Sequence, residues 1–111
     1  MLVADEEYAL DYLSERFSPK LSAPTARTAV GLTRNGKIAL IVIDSGAPEY
    51  SVGATWHQMA IVGRDFLNAR HLMGFDGGGS STMYVSGRVV NRPQGGAPRS
   101  VANILAVVPR G

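Results

Sequence analysis

The run Phe75-Asp76-Gly77-Gly78-Gly79-Ser80-Ser81-Thr82 constrains this chain more than any other stretch of it. Three consecutive glycines are costly to order, because each loses more backbone entropy on folding than a residue with a side chain. A folded chain keeps such a run where backbone must approach a ligand closely, or where several left-handed conformations fall together. Successive amide N–H groups in a loop of this kind form an anion-binding nest, and here three hydroxyl side chains follow it. Phosphate or carbohydrate is the natural occupant. The plain alternative is a tight strand-to-strand turn in which Asp76 bonds its own backbone. The run is not a nucleotide P-loop: no lysine follows the glycines at the Walker spacing, and no helical pattern follows them.

The rest of the chain reads as an ordinary globular domain. Its 111 residues support one compact unit, with 45% apolar and 18% charged residues. The net charge of +2 comes from 11 basic and 9 acidic residues. No Lys/Arg run concentrates it, so nucleic acid is not an expected partner. Lys20 and Lys37 are the only lysines, and the other basic residues are arginines, the side chain suited to bidentate contact with phosphate or carboxylate. Genome bias would give the same excess. Cysteine is absent, which excludes disulfides and thiolate metal sites without deciding the compartment. The stretch Met1 to Phe17 is acidic and broken by charge, unlike a signal peptide or a membrane span. The localisation stays open.

Periodicity divides the chain at about residue 24. Residues 5 to 17 read as a short helix, with Asp5 as cap, Glu6 and Glu7 in the first turn, and Leu10, Leu13 and Phe17 at helical spacing. Two prolines between Ser18 and Pro24 break it, so residues 1–24 are expected to be a helix and linker and 25–111 the domain proper. Thr28 to Thr33 reads as a strand leading into Asn35-Gly36, a type I′ hairpin signal. The apolar run Ile38 to Ile43 fits a central strand covered on both faces.

Residues 55 to 70 read as the main helix, with a Thr55/Gln58 capping box and one face formed by Trp56, Met59, Ala60, Gly63 and Leu67. Leu72 to Phe75 is a short strand entering the glycine run. Thr82 to Val85 and Arg88 to Asn91 form a hairpin around Ser86-Gly87, and Val101 to Val108 is the last strand. The expected class is α+β: an antiparallel or mixed sheet of about five to six strands with one main helix packed on it and a short N-terminal helix.

Five pieces agree in order and spacing with one family. They are Arg27-Thr28-Ala29-Val30-Gly31, the apolar strand ending at Asp44, Phe75 to Met83, Gly87-Arg88-Val89-Val90-Asn91, and Arg99-Ser100-Val101-Ala102-Asn103. Together they resemble the C-terminal part of the phosphodiester glycosidases, a family that includes the lysosomal-pathway uncovering enzyme and bacterial proteins associated with exopolysaccharide. The resemblance implies hydrolysis of the bond between an anomeric sugar carbon and the phosphate of a sugar-1-phosphodiester or related glycan. Such a reaction needs a carboxylate as acid, base or stabiliser of an oxocarbenium-like centre. The phosphodiester leaving group is already a weak base, so holding its charge matters more than protonating it.

On this basis Asp76 is the candidate carboxylate and Asp44 a second, the latter equally readable as a turn residue. Gly77, Gly78, Gly79, Ser80, Ser81 and Thr82 line the expected phosphate or sugar site. Arg27 and Arg99 are the phosphate-binding candidates, with Thr28 and Asn103 beside them. Either arginine would otherwise be a surface cation paired with a nearby acid, worth little.

No metal site is expected. His57 and His71 lack a third ligand at metal-like spacing, and His71 reads as a residue at the end of the helix. Oxygen atoms of Asp76 and Asp44 could hold a divalent cation, but the spacing does not demand one and no cofactor is implied. Trp56 reads as core.

Two features depart from the family. Relatives carry a longer N-terminal portion, and many have Asp-Gly-Arg where this chain has Asp44-Ser45-Gly46. Strands missing from one chain could come from a second copy by edge pairing. Three functions therefore compete: a hydrolase, a non-catalytic carbohydrate- or phosphate-binding module truncated relative to the enzymes, and a relic with neither role.

Overall fold

The computed structural model describes residues 1–9, 23–47, 49–101 and 104–109. It is an α+β fold. A five-stranded antiparallel sheet has the order β2-β1-β5-β3-β4, where β1 is Val3–Ala4, β2 Glu7–Tyr8, β3 Arg27–Thr33, β4 Ile38–Ile43 and β5 Ala69–Gly74. A separate two-stranded sheet pairs β6 (Tyr84–Val85) with β7 (Arg88–Val89).

The N-terminal helix is not what the described residues form. Residues 3–8 are a hairpin whose two turn residues, Asp5 and Glu6, have φ of 48° and 69°. Tertiary pairing overrides local helical preference here. β1 docks on β5 with Val3 opposite Leu72, and Leu2 and Val3 are fully buried. Sinking two apolar side chains contributes about 1.5–3 kcal/mol each, more than a marginal one-turn start to a helix could return. Residues 10–17 of the expected helix lie outside the described residues.

The β3–β4 hairpin forms with Leu32 opposite Ile38, but its turn is not type I′. Gly36 is left-handed at φ 79° and Asn35 is not. The Gly36 N–H donates to the Thr33 carbonyl and the Thr33 N–H to that of Lys37. This is a three-residue loop in which a single left-handed glycine closes the connection. The Ser86-Gly87 turn, by contrast, has both central residues at positive φ, 49° and 89°.

The helix, α1 (Trp56–Ile61), starts as the sequence dictates. The Thr55 hydroxyl accepts from the Gln58 N–H at 3.0 Å, and the Thr55 N–H donates back to Gln58 Oε1 at 2.9 Å. It continues as a π-helical turn over Val62–Phe66 and stops there rather than at residue 70. The wider turn leaves Leu67 outside the buried face, 41% exposed. Asn68, left-handed at φ 57°, reverses the chain into β5, so His71 lies on a strand opposite Leu32 and not at a helix end.

Trp56, Met59 and Ala60 pack on one face of the sheet against Leu2, Val3, Ala29, Ile41, Ala69 and Leu72. Two glycines let the layers meet. A Cβ on Gly63 would strike Leu72, and one on Gly74 would strike the Trp56 ring.

The other face of the sheet is open among the described residues. Met73, Val30 and Leu40 form one cross-strand row, and His71, Leu32 and Ile38 the next. Leu32 is 50% and Ile38 62% exposed. β4 is therefore an edge strand with one covered face, not a central strand covered on both, because no described element lies beyond it. Residues 101 and 104–109 carry no strand pairing, which corrects the expected final strand. No helix among the described residues is long and apolar enough to cross a membrane.

Candidate functional site

The ends of β3, β4 and β5 deliver three loops to one region. Phe75 continues the β5–β3 pairing, its N–H donating to the Thr28 carbonyl at 2.9 Å, and the glycine run then turns across the start of β3. The Gly78 N–H reaches the Ala26 carbonyl at 2.9 Å, and a Cβ on Gly77 would collide with that same carbonyl. Close backbone approach is thus the reason for glycine at 77. At 78 the reason is a left-handed φ of 59°.

The loop is a single 3₁₀ turn, Gly78–Ser80, and not an open nest. The Gly77 N–H donates to Asp76 Oδ1 at 3.0 Å, and those of Ser80 and Ser81 donate to the carbonyls of Gly77 and Gly78. Asp76, Gly79 and Thr82 keep N–H groups with no acceptor among the described residues, and of these Gly79 lies within the turn. Beside it lies Arg99, whose Nε and Nη2 donate to Ser80 Oγ at 3.2 and 2.5 Å. Arg99 Nη1 comes within 3.1 Å of where a Gly79 Cβ would be. Asp76 and Arg99 are exposed, Ser80 half-buried. Ser81 is buried and its hydroxyl accepts from Thr28 Oγ1 at 2.9 Å, so Ser81 and Thr28 brace the loop. Thr82 follows, half-buried.

Asp44 sits at the end of β4, 9% exposed, in a cage of donors. Asn91 Nδ2 donates to Oδ1 at 2.9 Å; the Tyr50 hydroxyl and the Arg92 N–H donate to Oδ2 at 2.8 and 2.9 Å. Burial alone would raise the pKa of this carboxyl, but the Arg92 N–H, Asn91 and Tyr50 bonds outweigh it and hold the pKa below the ordinary 3.8. The same bond raises the Tyr50 hydroxyl above its ordinary 10.0.

Asn91 joins the two clusters. Its Nδ2 also donates to the Ser81 carbonyl at 2.9 Å, and its Oδ1 accepts the Met83 N–H at 2.8 Å. Gln94 Oε1 adds a second link, accepting from Ser45 Oγ at 2.9 Å and Thr25 Oγ1 at 3.5 Å.

Arg27 is placed differently from the expectation. It is 2% exposed, its Nε and Nη2 donate to the carbonyls of Ala54 and Ala23 at 2.8 Å each, and its guanidinium lies 4.2 Å from the Trp56 ring centroid. Asn103 lies outside the described residues. Sequence reasoning missed Asn91, Tyr50, Ser45, Gln94 and Thr25 as site residues. Asn91 stood inside a matching motif, whereas the others carry no local signal.

A hollow of about 520 Å³ opens next to Asp44, lined by Ala47, Glu49, Tyr50 and Arg92. A second, of about 200 Å³, lies on the open apolar face of the sheet around Val30, Leu32, Ile38 and Met73. Neither is lined by residues 76–82. Among the described residues no three His, Cys, Asp or Glu side chains are grouped to hold a metal.

Fold and loops define a small α+β unit whose strand ends converge on a glycine turn. The model of the phosphodiester glycosidase family matches residues 1–108, and the chain belongs to that family. Among solved structures it is similar to a hypothetical protein from Synechocystis at 26% identity and a TM-score of 0.73, over 86% of this chain and 18% of that one. It is also similar to a Burkholderia pseudomallei protein described as exported, at 40% identity and a TM-score of 0.61, over 65% of this chain and 14% of that one. The chain thus spans less than a fifth of the length of either. No curated protein matches it.

Proposed function

We propose that this chain cleaves the glycosidic bond of a sugar-1-phosphodiester or related glycan at the glycine turn. The observation that carries the reading is one short loop that holds the exposed Asp76, Ser80 with Arg99 bonded to it, and the unpaired Gly79 N–H, on a chain of this family. Arg99, the Ser80 hydroxyl and the Gly79 N–H hold the phosphate oxygens, where developing negative charge meets fixed donors. Asp76 Oδ1 is fixed by the Gly77 N–H, so the carboxylate faces solvent in one orientation. It takes the proton of the attacking water as the water oxygen bonds to the anomeric carbon. The bond from that carbon to the phosphate oxygen breaks, and the phosphate departs with the electron pair.

Arg27, Thr28 and Ser81 shape this site from behind. Arg27 fixes the backbone around Ala23 and Ala54, and the adjacent Ala26 carbonyl is the one that seats Gly78. Asp44 holds the Asn91 and Arg92 loop and, through Asn91, the Ser81 carbonyl.

A second reading, a non-catalytic sugar- or phosphate-binding module, has one observation in its favour. Glycosidases use carboxylates in pairs, and three donors already occupy the oxygens of Asp44. Release of free sugar from a panel of sugar-1-phosphodiesters separates the two. The hydrolase reading predicts turnover by the purified chain that falls at least tenfold in Arg99→Ala. Saturable binding of a sugar phosphate with no release would support the module instead, and no binding at all would remove both. Pairing of a second copy along the β4 edge is a separate proposal, and a monomeric mass by light scattering at high concentration would refute it.

A further inference from the structure

The hollow beside Asp44 differs in chemistry from the glycine turn. Two of its lining residues are fixed: the Tyr50 hydroxyl and the Arg92 N–H both end on Asp44. The Arg92 guanidinium lies 4.0 Å from the Tyr50 ring centroid, so stacking fixes the cation while its N–H edge has no acceptor among the described residues. Glu49 lines the same hollow and makes no ion pair with Arg92. An acceptor and a donor of opposite charge therefore stand across an open space without satisfying each other.

A phosphate would gain from Arg92 but would face the carboxylate of Glu49. A hydroxyl-rich ring suits both groups, because each hydroxyl can donate to Glu49 or accept from Arg92, and the half-exposed Tyr50 ring offers an apolar edge. The volume of about 520 Å³ lies within the range of small-molecule sites.

We infer that Ala47, Glu49, Tyr50 and Arg92 form a subsite for a second hexose ring of the ligand. The inference rests on the reading of the glycine turn as the sugar-phosphate site, to which Asp44, Asn91 and the Ser81 carbonyl connect it. Its substrate class is then an oligosaccharide phosphate rather than a monosaccharide phosphate. Because the Arg92 side chain is held by stacking and its backbone by Asp44, little ordering entropy is lost when it binds.

The test is titration of the isotope-labelled chain with glucose-1-phosphate, maltose-1-phosphate and maltose, followed by NMR at the Gly77–Gly79 amides and at the Tyr50 ring and Arg92 Nε–H. Maltose-1-phosphate is expected to bind about tenfold more tightly than glucose-1-phosphate and to be the one of the two that shifts Tyr50 and Arg92. Arg92→Ala, which keeps the backbone bond to Asp44, should remove the preference, and Glu49→Gln should weaken it. Equal affinities with Tyr50 and Arg92 unmoved would overturn the subsite while leaving the glycine turn in place. If no sugar phosphate moves the glycine amides, the parent reading fails. Maltose alone shifting Tyr50 and Arg92 would then still support the subsite, and silence there would overturn it too.

Discussion

Asp44 and Asp76 each follow a strand of the same sheet, yet they live in opposite surroundings. Asp44 is buried under three donors and is held ionised by them. Asp76 is exposed and accepts one bond, from the next residue. A carboxylate whose lone pairs are occupied holds loops together, whereas one whose outer oxygen faces solvent can meet a substrate. The proposed function gives architecture to the first and chemistry to the second, and that division can be broken at either end.

The largest expected effect on stability is at the caged carboxylate. Asp44→Ala should cost about 3 kcal/mol in denaturant unfolding, since it strands the Asn91 amide and the Arg92 N–H. Asp76→Ala should stay within about 0.5 kcal/mol. Equal losses would erase the distinction.

Next comes the turn itself. Gly77→Ala should cost about 1–3 kcal/mol, because the added methyl meets the Ala26 carbonyl and backbone must shift. Gly79→Ala meets only the movable end of Arg99, so stability should hold while phosphate binding weakens. Thermal melts with a phosphate titration check both.

The smallest effect is in pH. A carboxyl with a depressed folded pKa contributes stability that is present above its unfolded value and lost as pH falls through the folded one. The Asp44 contribution should be intact at neutral pH and fade below about pH 3.8, the ordinary value, as the pH approaches the lower folded pKa. Comparing acid unfolding of the native chain and Asp44→Asn checks this: the variant should lack that component.

Much of this was legible in local chemistry. The Thr55/Gln58 cap, the helix face through Gly63, the Ser86-Gly87 hairpin and the glycine run are signals carried by neighbours in sequence. The misses are long-range. Residues 5–8, read as the start of a helix, instead close and pair with β1, which docks on β5 more than sixty positions away. The apolar run Ile38 to Ile43 read as central, although periodicity cannot say whether a strand has a neighbour on each side. The charge of Arg27 is visible in a sequence, whereas its burial beside Trp56 is not. The Asp44 cage draws on residues 50, 91 and 92, so it exists only once the loops have met.

The most direct test of the account is sugar release by Asp76→Asn, with the unfolding midpoint measured on the same sample. The account predicts an unchanged midpoint and turnover on a sugar-1-phosphodiester reduced at least about a hundredfold, the scale of a lost general base. Unchanged turnover, or turnover lost only in step with folding, would contradict it.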